Sequence, residues 1–173
     1  GIRFVVFMQG CNLRCGCCHN PDTWSPEGGT PYTAEELVKK AIRFKEYFGE
    51  DGGITVSGGE PLLQAEFVKE IFELCHAQGI NTCLDTSGCM MNEAVRILLS
   101  HTDRVLLDIK YTNDVDYREN VGCSIFPVLS FLEELERRLR GRGDTDEEQI
   151  RVRQERVKWE MEQSRAYDYV VIN

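Results

Sequence analysis

Within the first 110 residues a short apolar run ends four times in a polar or glycine-rich cluster. The runs are residues 2–8, 54–57, 81–84 and 104–109, and amphipathic helical patterns fill the spaces between them. This alternation constrains the fold more than any other feature. Strands joined through helices lie parallel, and right-handed crossovers put the helices against the sheet. The first run is apolar apart from Arg3, as expected of a strand buried on both faces.

The connecting helices carry their own signals. Thr33-Ala34-Glu35-Glu36 is a capping box opening a helix whose Leu37, Ala41, Phe44 and Phe48 share one face, with Gly49 as its stop. Residues 64–78 form a helix turning Phe67, Ile71, Leu74 and Cys75 inward, and a shorter helix covers residues 92–100.

The polar residues fall at one end. Each strand finishes in a distinctive cluster: Cys11 to Cys18, then Gly58-Gly59-Glu60, then Asp85-Thr86-Ser87-Gly88, then Asp108-Ile109-Lys110. In α/β barrels the rim at the strands' C-terminal ends is where sites assemble. The expected fold is therefore α/β, a partial (β/α) barrel of about four parallel strands.

Cys11, Cys15 and Cys18 stand in a C-x3-C-x2-C pattern within one short loop. Three thiolates on a four-iron cubane leave one iron without a protein ligand. Two other readings compete: a Cys3His zinc site completed by His19, and a disulfide. Structural zinc usually draws on separated ligand pairs, and adjacent Cys17 and Cys18 are poorly placed for bridging. Spacing favours the iron-sulfur centre. Cys75, Cys83, Cys89 and Cys123 are scattered, as buried small hydrophobes in a reducing compartment would be.

Taken singly, the other clusters are ambiguous. Gly58-Gly59-Glu60-Pro61 is either an ordinary strand-to-helix turn or a bare backbone that a ligand can approach, with Glu60 open to a cationic group. Asp85 and Asp108 read alone as solvated carboxylates; on one rim with Lys110 they suit a zwitterionic cofactor and a cation.

The segments Gly-Ile-Arg-Phe-Val-Val-Phe-Met-Gln-Gly-Cys (1–11), Cys-His-Asn-Pro-Asp-Thr-Trp (18–24), Ser-Gly-Gly-Glu-Pro (57–61), Leu-Asp-Thr-Ser-Gly (84–88) and Leu-Asp-Ile-Lys (107–110) closely resemble the pyruvate formate-lyase activating enzymes. These are glycyl-radical-enzyme activases of the radical S-adenosylmethionine superfamily. The resemblance covers about residues 1–124. It implies that Cys11, Cys15 and Cys18 hold a [4Fe-4S] cluster whose open iron takes S-adenosylmethionine, and that a 5′-deoxyadenosyl radical abstracts hydrogen from a backbone glycine of a partner enzyme. It further implies that Cys17, Cys18 and His19 border the cofactor, with Gly58, Gly59 and Glu60 at its methionyl part. Asp108, Ile109 and Lys110 would line its other side, and Asp85, Thr86 and Asp108 would take a monovalent cation. A flavodoxin- or ferredoxin-like electron donor and a cytoplasmic location are implied as well. One departure is Cys17, where the family usually has an aromatic residue.

Beyond Cys123 the texture becomes strongly charged. Helices are expected over residues 128–140 and 146–165, broken at Gly141-Arg142-Gly143, with a short strand over 169–172 that adds a fifth strand beside the fourth. Residues from about 130 to 173 resemble the C-terminal part of a guanylate kinase. No G-x-x-x-x-G-K-[ST] phosphate loop accompanies them, so kinase chemistry is not expected. The expected division is a radical SAM core over 1–124 and a charged helical appendage over 125–173. Both ends look cut, as in a fragment.

Composition narrows the partners. A net charge of −9 argues against nucleic acid, and no apolar run approaches a membrane span. The rival to an activase is a non-catalytic metal-binding fragment, with a nucleotide-binding module as a third reading.

Overall fold

The computed structural model describes residues 1–142 together with Arg151, Val152, Glu155 and Trp159. Four strands form one parallel sheet in the order β1-β2-β3-β4: Arg3–Met8, Gly53–Gly58, Asn81–Thr86 and Arg104–Leu107. Register aligns Met8 with Gly58, Val56 with Leu84, and Thr86 with Leu107. The four strand ends, and the loops that leave them, thus lie along one rim.

Helices α1 (Ala34–Ile42), α3 (Ala65–Ala77) and α4 (Glu93–Ser100) pack against one face of the sheet. The capping box forms as expected: Glu36 N–H donates to Thr33 Oγ1 and Thr33 N–H to Glu36 Oε2. The first helix is shorter than its apolar period suggests. It ends at Ile42, and a single turn, α2 (Lys45–Phe48), follows. Phe44 falls at the break, half exposed, and stacks on Phe4 with ring centroids 5.8 Å apart instead of joining the core. In α3 the fully buried positions are Val68, Ile71, Phe72 and Cys75, while Phe67 and Leu74 pack at the margin.

β1 departs from expectation. Val6 and Met8 are buried against the helices, but Val5 and Phe7 point the other way and are 45% and 57% exposed. Alternation places Thr55, Ser57, Cys83, Asp85 and Leu106 on that same face, opposite to the one on which α1, α3 and α4 pack, through the register of the strands. Arg3 covers its far end, donating to Thr55 Oγ1 at 2.7 Å, Ile54 O at 2.6 Å and Asn81 Oδ1 at 3.0 Å.

Two further helices shape the rim. α5 (Asp114–Asn120) was not evident from apolar periodicity; its cap is Asn113, whose side chain accepts from Asp116 N–H. α6 (Phe126–Arg142) begins before the expected residue 128 and runs through Gly141 without a break. Its Phe131 is fully buried in the main core, and Val128 is fully buried in a second cluster with Leu13, Cys89, Tyr117, Val121 and Ile125. The expected helix over 146–165 falls almost entirely outside the described residues, and the expected strand over 169–172 entirely so.

α6 is also tied by charge. Glu134, 6% exposed, accepts from Arg96 Nη1 at 3.0 Å, Arg137 Nη2 at 2.6 Å and Arg138 Nε at 3.0 Å. The Arg137 hydrogen bond, opposed by burial and aided by Arg138, holds the Glu134 carboxyl well down, at about 2. A depressed carboxyl stabilises the fold above its unfolded pKa and loses that contribution as pH falls through the folded one. Glu134→Gln is accordingly expected to lower stability at pH 6 and to flatten the acid limb between about pH 4.5 and 2, read by chemical denaturation at several pH values. Phe131→Ala should cost about 3–5 kcal/mol by cavity formation, measured the same way at neutral pH.

Candidate cofactor site

The cysteine loop leaves β1 through Gly10, at φ 99°, and is closed on itself by hydrogen bonds. Gly10 N–H donates to Thr23 O at 2.8 Å and Cys11 N–H to Trp24 O at 3.2 Å. Gln9 Nε2 bridges to Asp22 O and Ser25 O, and the Arg14 guanidinium lies 5.1 Å over the Trp24 ring. On its other side the loop is pinned to the end of α5: Arg14 N–H donates to Val121 O and Gly16 N–H to Asn120 O. Leu13, 3% exposed, plugs the second core beneath it. The loop is clamped on both flanks by the chain's own contacts.

Cys15 to Cys18 form a turn closed by Cys18 N–H to Cys15 O at 3.1 Å. Cys11, Cys15 and Cys18 are part-exposed, Cys17 and His19 are exposed, and all eight cysteines are free thiols. Burial raises the Cys11 thiol, against a Leu13 N–H that donates to its sulfur at 3.4 Å. Burial also pushes Cys15 up to about 11, against the nearby Lys110 charge. Cys11, Cys17 and Cys18 lie close enough to Cys15 for their charges to be felt there.

Among the described residues, no three His, Cys, Asp or Glu side chains converge on a point that one metal ion could occupy. A Cys3His zinc site needs such convergence, since Zn–S bonds are only about 2.3 Å. A cubane takes one thiolate on each of several irons, so its ligands need be neighbours only. Three part-exposed thiols on one preformed loop fit the larger group.

The Gly58-Gly59-Glu60 turn packs against the start of the cysteine loop. Gly58 sits at φ 104°, and a Cβ there would fall 2.4 Å from Met8 N. A Cβ on Gly59 would fall 2.2 Å from Gly10 O. What approaches the bare backbone is the start of the cysteine loop itself. Gly59 N–H donates to Met8 O and Glu60 N–H to Gly10 O, both at 2.9 Å.

Glu60 is likewise not an open acceptor for a cationic group. It is 1% exposed, and both carboxylate oxygens are engaged. Oε1 accepts from Thr86 Oγ1 at 2.5 Å and Leu62 N–H at 3.0 Å; Oε2 accepts from Ser87 Oγ at 2.5 Å and Ser87 N–H at 3.1 Å. The side chain locks the β2 rim to the β3 rim. Thr86, whose Oγ1 also accepts from Gly88 N–H, has its hydroxyl committed to this lock.

Asp85 accepts from Ser57 Oγ at 2.7 Å on the sheet face opposite α1, α3 and α4. Asp108 N–H extends the ladder to Thr86 O, and the Asp108 carboxylate pairs with Lys110 Nζ. Burial works against the Lys110 charge, but the Asp108 hydrogen bond and charge, with Cys15 and Cys17, hold its pKa above the ordinary value. Lys110 N–H is fixed by Tyr117 Oη at 2.9 Å, and Ile109 packs at the edge of the second core. The structure therefore gathers the cysteines, Glu60 and the Asp108–Lys110 pair around one rim. Ser57, Ser87 and Tyr117 were not singled out from sequence. Ser57 had a signal in the polar alternation Thr55-x-Ser57; Tyr117 had none.

Comparison with known proteins follows the same line. Residues 5–152 match the family model of the radical SAM superfamily. The chain is 57% identical over 119 residues to a pyruvate formate-lyase-activating enzyme of Clostridium pasteurianum, covering 68% of this chain and 50% of that one. It is 45% identical over 134 residues to pyruvate formate-lyase 1-activating enzyme of Escherichia coli K12, covering 76% and 54%. The chain thus spans about half the length of the curated relatives it matches. In fold it is similar to Streptococcus suis SuiB bound to the precursor peptide SuiA, with a TM-score of 0.64 at 16% identity over 79% of this chain and 30% of that one. SuiB bound to S-adenosylmethionine gives 0.60 at the same identity, over 79% and 31%. With the motif, the clamped loop and the rim all in place, the chain belongs to the radical SAM superfamily.

Proposed function

We propose that the chain is the cofactor-binding part of a glycyl-radical-enzyme activase acting on pyruvate formate-lyase or a related enzyme. One observation carries the reading: three part-exposed thiols in C-x3-C-x2-C spacing stand on a loop braced from both sides, at the rim of a parallel sheet. The relatives at 45–57% identity, all named for activating pyruvate formate-lyase, support the substrate class.

The superfamily's cofactors are a [4Fe-4S] cluster and S-adenosylmethionine. Cys11, Cys15 and Cys18 would hold the cluster, and burial keeps two of these thiols protonated until iron displaces the proton. When bound, the cluster supplies the electron for reductive cleavage of S-adenosylmethionine to methionine and a 5′-deoxyadenosyl radical, which takes hydrogen from a backbone glycine. The chain's own residues bind and orient. Cys17 and His19 would border the cofactor, and the Gly58-Gly59 backbone would border it from the end of β2. Asp108, Ile109 and Lys110 face it from β4, where the Asp108–Lys110 pair presents both signs of charge to a zwitterion. Asp85 and Asp108 are the carboxylates for a monovalent cation.

We assign the radical SAM unit to residues 1–124 and a charged segment to residues 125–173; the family match runs over residues 5–152, and helix α6 contributes Phe131 to the main core. A flavodoxin- or ferredoxin-like protein would supply the electron in the cytoplasm. Among the described residues no helix is long and apolar enough to cross a membrane.

Anaerobic reconstitution tests the reading. A brown protein with about four irons per chain, whose electron paramagnetic resonance spectrum changes on adding S-adenosylmethionine, supports it; a colourless protein holding one zinc overturns it. Generation of a glycyl radical on added pyruvate formate-lyase tests the substrate. In the same preparation, Cys15→Ala should abolish the cluster, whereas Cys17→Ala should leave iron and sulfide content nearly unchanged. A large loss in the second variant would show the ligand set to be wrong.

A further inference from the structure

Glu60 is among the largest fully buried side chains of the molecule, and its four hydrogen-bond donors are all uncharged. A buried carboxylate ordinarily has a cationic partner, because solvation lost on burial must be replaced. Here two hydroxyls and two backbone N–H groups replace it. The Thr86 hydroxyl already accepts from Gly88 N–H, so its own proton goes to Glu60. The backbone groups of Leu62 and Ser87 can only donate. As a carboxylate, Glu60 has an acceptor for each of these four donors, so the geometry suits its charged form.

That charge sits directly behind the cysteine loop. Glu60 N–H is bonded to Gly10 O, one residue before Cys11. The carboxylate is felt electrostatically at Cys11, and also at Cys89 and Cys123 in the second core. The cation on that side is Arg14, which acts on Cys11 and donates from Nη1 to Cys11 O at 2.9 Å without bonding Glu60; Lys110 acts on Cys15 and Cys17 and is itself balanced by Asp108.

We propose that Glu60 is a positioning residue with an electrostatic effect: locked by Thr86 and Ser87 through uncharged donors alone, its carboxylate disfavours electron uptake by the centre that Cys11 holds. A fixed negative charge near an iron-sulfur centre destabilises the reduced form, which is one electron more negative, and so lowers the reduction potential. Such a bias makes the bound centre a stronger reductant, as cleavage of an unactivated sulfonium bond requires. The inference rests on Cys11, Cys15 and Cys18 being cluster ligands, as proposed above.

The test is a redox titration of the anaerobically reconstituted chain, followed by electron paramagnetic resonance of the reduced cluster, for the wild type, Glu60→Gln and Ser87→Ala. Glu60→Gln removes the charge but meets one backbone N–H with its own amide whichever way it turns, so its fold is checked by circular dichroism. Its cluster should be about tenfold more reduced at a fixed potential, the scale of one unit charge acting through protein at an effective dielectric constant of about 20. That is a midpoint about 59 mV more positive for one electron. Ser87→Ala keeps the charge and removes a hydroxyl that spreads it, so its midpoint should stay at or below that of the wild type. An unmoved midpoint in Glu60→Gln, or a rise in Ser87→Ala matching it, overturns the proposal. If Glu60→Gln fails to assemble a cluster, Glu60→Met, which removes the charge and leaves no amide facing an N–H, is titrated in its place: a midpoint raised as expected for Glu60→Gln supports the proposal, and an unmoved one overturns it. A wild-type chain without iron overturns the cluster reading and this inference together; four irons with unresponsive midpoints overturn this inference alone.

Discussion

The site depends on contact between two bare stretches of backbone, Met8 to Gly10 leaving β1 and Gly58 to Glu60 leaving β2. Cβ atoms on Gly58 or Gly59 would collide with Met8 N or Gly10 O at about 2.4 Å or less. The contact lets Gly59 and Glu60 N–H reach Met8 and Gly10 carbonyls, so the cysteine loop starts from a fixed point and not from a frayed strand end. From there the constraint passes along the rim. Glu60 reaches Thr86 and Ser87 beyond β3, and Thr86 O receives Asp108 N–H beyond β4. Four loops separate in sequence become one connected edge.

The loop's other flank is held by elements remote in the chain. Asn120 and Val121 accept from Gly16 and Arg14, and Leu13 fills a cluster whose other members come from α5, α6 and the loops after β3 and before α6. Val128 and Phe131 bring α6 into both cores, and Glu134 fastens it to Arg96 of α4. A charged sequence over residues 133–140 thus hides an apolar stripe on the preceding turns. The consequence is mechanical: loosening α6 loosens the floor under Cys11 and Cys15.

Much of this architecture was legible in the sequence because parallel βα units write their period plainly. The four strands, their order of polar termini and the capping box of α1 all follow from local pattern. Boundaries followed less well. β3 extends to Thr86 because register with Leu107 and the Asp108 N–H bond continue the ladder past the apolar run. The first helix stops at Ile42 even though Phe44 keeps the period, because Phe44 stacks on Phe4 outside the core. Burial of both faces of β1 was expected from its composition, yet Val5 and Phe7 are exposed; composition does not reveal which face the helices cover. At the site, the cysteines announce themselves by spacing, whereas the true role of Glu60 depends on Thr86 and Ser87, 26 and 27 residues away. No local rule carries that information.

The charge layout of the rim follows from these same contacts. Lys110 is the cation that faces the thiols of Cys15 and Cys17, and its pairing with Asp108 leaves little net positive charge there. The Glu60 carboxyl lies behind Cys11, and its hydrogen-bond donors are all uncharged. Three cysteines that must lose their protons to bind metal would enlarge that negative field. An arrangement of this kind resists both thiolate formation and electron uptake. A polycationic inorganic core would absorb the thiolate charge, and under the proposal above it would be held at a more reducing poise. The exclusion of water from Glu60, at 1% exposure, keeps the field from being screened. The buried carboxylate and the open thiols are in this sense one electrostatic unit, with the backbone contact at Gly59 and Gly10 fixing the distance between them.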